Sequence, residues 1–237
     1  MRMRDGFTLL ETLMVIAIIA ILIATTLPSL RASRLRADEL ITLGRLRQHA
    51  MVLSAYNAEH QGWYPWMGDP ADPTNSIVSF GNGDLRRFGY FDSRTIWHHF
   101  LADAYYEGIH RHEMFHAAGP QSDPSSNFVS IWYTASFKAD PKFWRYEERT
   151  GPDQWRVVRD HEVRFPSHKG AFSAGAYEFG LPIELVGFVD ASARRVRSEN
   201  IMPYYRLGTG RWPGSDITSR GFPIIHAIDG AHGRDER

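Results

Sequence analysis

The sequence predicts an α+β protein: a long N-terminal helix, membrane-spanning in its first half, packed on a C-terminal head with an antiparallel β-sheet. Three observations predict this. Phe7 to Leu27 is a mostly apolar run of 21 residues. Helical spacing continues beyond it, with Leu43, Leu46, Ala50 and Leu53 three or four residues apart. From Asn127 onward the pattern changes to short β-branched and aromatic segments parted by Pro and Gly. Helix first and strands after is the order of an α+β head. Four parts are expected: 1–6 a leader, 7–30 the apolar helix, 31–60 its continuation, and 61–237 a globular head.

As a helix rising ~1.5 Å per residue, the apolar run measures roughly 32 Å and matches a hydrocarbon core of ~30 Å. Glu11 sits one turn inside its near end, although a carboxylate at full membrane depth costs about 2.5–3.5 kcal/mol. Arg2 and Arg4 precede the run and Arg31, Arg34 and Arg36 follow it. Charge therefore does not fix the orientation, and the far-side arginines alone favour a cytoplasmic far end. A secretory signal peptide fits poorly: the run is long, no small-x-small cleavage site follows, and the helical pattern goes on. On the residues alone, Glu11 reads equally well as a carboxylate near enough to the interface to reach water.

The stretch "GFTLLE", Gly6 to Glu11, resembles the processing site of type IV pilins and of the pseudopilins of type II secretion systems. The resemblance implies a basic leader cut after Gly6 by a prepilin peptidase, a new N-terminus at Phe7 that is methylated, and Glu11 at the fifth mature position. There Glu11 would neutralise the terminal amine of a neighbouring subunit, since paired opposite charges in lipid cost far less than one alone. Pro28 also matches the family's helix proline. Implied with it are a filament of pilin-like subunits, either a type II pseudopilus or a type IV pilus, and an inner-membrane assembly machinery. The subunit would be single-pass in the inner membrane, with a cytoplasmic N-terminus and a periplasmic head. Such a subunit performs no catalysis and needs no cofactor or metal.

The remaining elements follow in order. One helix is expected from about Phe7 to Ala58, with Pro28 able to kink it and Gly62 available to cap its end. Residues 63–92 are rich in turn formers and read as a loop. A second helix is expected over about Ser93 to Tyr106, with Ile96, Trp97, Phe100, Leu101 and Ala104 as its apolar face. Strands are expected in "FVSIWYT" (128–134) and "WRVVRDHEVRF" (155–165), and "ELVGFVD" and "ARRVR" read as a hairpin around Ala191 and Ser192. "FVDASARRV" also resembles a Phe-x-Asp-Gly-(Ser/His)-Val segment of some pilin-like heads. Here Ala191 replaces the Gly, and because Ala disfavours positive φ a different turn is expected.

Composition narrows the function classes. With 43% hydrophobic and 23% charged residues the chain is that of a folded protein. Its 27 basic and 27 acidic residues cancel, which gives no electrostatic ground for nucleic acid. The absence of cysteine excludes disulfides and thiolate chemistry. Lys138, Lys142 and Lys169 are the only lysines among many arginines. "HEMFH" fits H-E-x-x-H, in which His112 and His116 on a helix would hold zinc and Glu113 would act as base. That pattern supports an alternative, a membrane-anchored zinc-dependent hydrolase. The third ligand it needs has only His161, His168, His226 and His232 as candidates. The closing "HAIDGAHGRDER" reads as a polar tail.

Overall fold

The computed structural model describes residues 8–66, 76–79, 85–120, 122–174, 183–202 and 229–236. The chain falls into two compact units, Met1–Asp38 and Glu39–Arg237. Helix α1 (Leu9–Glu59) supplies the first unit and enters the second, running without interruption through Pro28. Its end is built as the position of Gly62 suggests. The Gly62 N–H donates to the Asn57 carbonyl at 2.7 Å, and both Gln61 (φ 55°) and Gly62 (φ 83°) take the left-handed conformation that closes a helix. A side chain at residue 62 would also be blocked, because its Cβ would lie 2.5 Å from Asp160 Oδ1.

The head carries a four-stranded antiparallel sheet in the order β3 (Trp132–Tyr133), β4 (Gly170–Ala174), β5 (Ile183–Phe188), β6 (Ala193–Arg197). A separate hairpin, β1 (Ser76–Ser79) with β2 (Leu85–Phe88), lies in the stretch expected to be loop. Strands β4 and β5 are buried throughout, Ser173 and Glu184 included. Leu46, Ala50 and Leu53 of α1 enter one core with Tyr133, Phe172, Ile183 and Leu185 of the sheet. Helix and sheet approach closely at Gly187, where an added Cβ would stand 2.9 Å from the Leu46 carbonyl oxygen. Only glycine permits that distance.

The expected β5–β6 hairpin is present, with Leu185 facing Arg195 in register. Its turn departs from expectation in one respect. Ala191 adopts φ 62° despite its Cβ. Asp190 Oδ1 holds the turn by accepting from the Ser192 N–H at 3.0 Å and from its hydroxyl at 2.6 Å.

Three expectations are corrected. The helix over Ser93–Tyr106 is instead two 3₁₀ turns, Asp92–Thr95 and Trp97–Phe100, and a short helix α2 (Ala102–Tyr105). Ile96, Trp97, His98, His99, Leu101 and Ala102 are all buried, and a regular helix with one apolar face would have to expose some of them. The strand in 128–134 shrinks to Trp132 and Tyr133. Residues 155–165 form no strand; they hold a 3₁₀ turn at Asp160–Glu162. Arg156 reaches both Asp140 (3.0 Å) and Glu162 (2.6 Å), and Glu162 accepts from the Arg159 N–H at 2.8 Å, so local ion pairing folds this segment on itself.

Candidate functional site

Gly6 and Phe7 lie outside the described residues. Glu11 lies within them, in the first turn of α1. Its Oε2 accepts from the Thr8 N–H and from the Thr8 hydroxyl, both at 2.8 Å, while the Glu11 N–H donates to Thr8 Oγ1 at 3.3 Å. This is a capping box, in which two helix-start donors are satisfied reciprocally. The reading of the sequence missed it, though Thr-x-x-Glu before an apolar run is its signature. The box gives Glu11 a partner inside its own chain and fixes the carboxylate beside the start of the helix.

The apolar side chains that follow are unburied in the monomer. Leu10, Met14, Ile18, Ile21 and Leu22 each expose more than half of their surface. The hydroxyls interspersed among them are satisfied within the helix: Thr25 donates to the Leu22 carbonyl (3.0 Å), Thr26 to Ile23 (3.2 Å) and Ser29 to Thr26 (2.8 Å). A helix of this length and apolarity meets the requirement for crossing a bilayer. These hydroxyls demand nothing from the lipid.

The H-E-x-x-H pattern is not helical. Glu113–Phe115 is a single 3₁₀ turn flanked by His112 and His116 in extended conformation. His112 is exposed and its Nδ1 accepts from the Met114 N–H at 3.2 Å, whereas His116 is buried. The same-face geometry that zinc needs from residues four apart is therefore missing. Glu113 pairs instead with Arg45 of α1 at 3.3 Å, and Arg45 also donates to the His116 carbonyl at 3.0 Å. The segment fastens to α1. Of the third-ligand candidates, His161 is exposed, His168 meets Ser167 Oγ at 3.0 Å, and His226 lies outside the described residues. Among the described residues, no group of three metal-ligating side chains converges.

Several histidines serve packing. His49 of α1 is fully buried among Trp97, Phe115 and Phe172, with Nδ1 at 2.7 Å from the Tyr106 hydroxyl and Nε2 at 2.8 Å from the Met114 carbonyl. Burial pushes its pKa down to about 4, so the ring is neutral. His99 Nδ1 stands 2.9 Å from His110 Nδ1.

The closing segment is no loose tail. Asp235 is buried and sits 3.1 Å from the Nζ of Lys169, which is itself fully buried. Gly230, at φ 51°, lies so close to Trp144 that a Cβ would be 2.3 Å from its ring. Asp229 pairs with Arg145. Two of the three lysines, Lys138 and Lys169, are fully buried while Lys142 is exposed. Their rarity in the sequence was the one available signal of a special role.

The family described as the prokaryotic N-terminal methylation motif matches residues 1–27. The type IV wide pilus major component PilA4 of Thermus thermophilus is 32% identical over 106 residues, covering 41% of this chain and 81% of the relative. No solved structure matches significantly.

Proposed function

Because the chain belongs to the type IV pilin family, we propose that it is a structural subunit of a type IV pilus-like or type II pseudopilus filament. In this reading it is made as a precursor, inserted with its N-terminus cytoplasmic and its head periplasmic, cut after Gly6 by a prepilin peptidase, and methylated at Phe7. The observation that carries the proposal is the helix from Leu9 onward, whose large apolar side chains are exposed in the single chain. Lipid covers them before assembly and neighbouring helices cover them afterwards, in head-to-tail contacts that do not close. Glu11, capped by Thr8 before assembly, would exchange that partner for the amine of a neighbour's Phe7. The relative is named as a pilus major component, which supports the pilus over the pseudopilus. The family points to a structural subunit rather than an enzyme.

The test is the mass of the N-terminal peptide of the chain recovered from native membranes. A mature chain beginning at methylated Phe7 is expected. A chain that still starts at Met1, or one cut beyond Leu27, would overturn the reading.

A further inference from the structure

Lys169 and Asp235 are separated by 66 positions yet meet with side chains 0% and 1% exposed. An ammonium has three protons to donate. Among the described residues the Lys169 nitrogen has one hydrogen-bond acceptor, Asp235 Oδ1 at 3.1 Å. The other carboxylate oxygen, Oδ2, accepts from the Gly170 N–H at 2.8 Å. As an ion pair this arrangement leaves buried N–H groups without acceptors, which is costly in a dry interior. As an amide, the donors on the Lys169 nitrogen fall from three to one, and the new carbonyl oxygen keeps the Gly170 N–H.

We propose that Lys169 and Asp235 condense into an intramolecular isopeptide bond that locks the C-terminal segment onto the start of β4. The neutral amine attacks Asp235 Cγ. Negative charge develops on Oδ2, where the Gly170 N–H already points, as a backbone donor does in an oxyanion hole. A proton moves from the attacking nitrogen to the Oδ1 hydroxyl, which leaves as water. The Oδ2 carbonyl re-forms, so one C–N bond replaces one C–O bond, with no oxidant or reductant needed. Burial favours the reactive forms of both partners: it lowers the Lys169 pKa and raises that of Asp235, toward free amine and free acid. The bond would close a long loop and so restrict the unfolded chain.

The experiment is tryptic digestion and mass spectrometry of the full chain recovered from membranes. Trypsin cuts after a free lysine but not after an acylated one. The expected product keeps Lys169 uncut and joined to Asp235-Glu236-Arg237, lighter by one water than the two peptides together. Asp235→Asn should give the same linked peptide with loss of ammonia instead, and Asp235→Ala should give none. Complete cleavage after Lys169 in the wild-type chain, with the C-terminal tripeptide free, would overturn the proposal. Because the wild-type digest decides alone, a variant that fails to fold leaves the test intact.

Discussion

The two stretches of α1 face different surroundings. From Leu9 to Leu30 most positions are apolar, and large side chains on all sides are exposed. From Thr42 to Asn57 the same helix buries only Thr42, Leu46, His49, Ala50, Leu53 and Asn57, one stripe against the head. A helix that is apolar all round has no preferred face and is stabilised only by a medium or by partners on every side. A striped helix finds its partner within its own chain. The difference teaches that the first stretch needs a bilayer or partners around it, while the second completes the core of the head.

The largest effect should come from the head core. Trp97 is fully buried and its indole N–H donates to the Ile131 carbonyl at 2.7 Å. Trp97→Ala should cost about 3–5 kcal/mol in denaturant titration of a soluble head beginning at Arg34. Membrane insertion of the full chain should not change. If that head is unfolded even without the substitution, the comparison breaks, because the second stretch would then also depend on partners.

The converse substitution is Ile18→Arg. It should cost about 2.5–3.5 kcal/mol of insertion, read as the fraction of chain resistant to carbonate extraction, and leave the melting temperature of the head unmoved. Insertion equal to wild type would mean that the apolar run does not lie in the membrane core.

Acid should act on the stability of the head. The folded state keeps His49 neutral down to about pH 4, while the unfolded chain takes up the proton near the ordinary histidine value of 6.5. Stability is therefore complete above pH 6.5, falls as pH drops toward 4, and levels below it. The gap corresponds to about 3 kcal/mol. Melting curves of the head from pH 7 to pH 4 should show this decline, and His49→Gln should lessen it, with the remainder owed to His98, His99 and His116, whose pKa values burial also lowers. An equally steep decline in that variant would assign the acid sensitivity to other groups.

The smallest effect belongs to the capping box. Thr8→Ala should cost about 1 kcal/mol of helix stability and only slow filament assembly. Glu11→Ala removes the same cap and also the proposed partner for the neighbour's amine. Its assembly, followed by crosslinking between cysteines introduced along α1, should fail. Matching crosslinking in the two variants would reduce Glu11 to a cap.

Much of this protein was legible because local periodicity encodes it. The apolar run, the stripe of Leu46, Ala50 and Leu53, Gly62 at the helix end, and the β5–β6 hairpin each follow from residues within a few positions of one another. Where the sequence misled, packing outvoted pattern. The helical spacing of 93–106 gave way because six of the seven residues from Ile96 to Ala102 are buried, more than one helix face can hide. The alternation of 155–165 gave way to Arg156 and its two carboxylates. The H-E-x-x-H spacing meant nothing without an α-helix to align it. Asp190 let Ala191 take a glycine's conformation.

By itself the sequence determined the anchor, the family, the long helix and the β5–β6 hairpin, because each rests on contiguous residues and on spacings that one helix or hairpin enforces. Only the tertiary structure decided that His49 is buried against Trp97, that Arg45 fastens Glu113, and that Lys169 meets Asp235 across 66 positions. Nothing local encodes such pairs. They form when chain closure brings distant residues together, and where both partners are buried, as at Lys169 and Asp235, each makes the other obligatory.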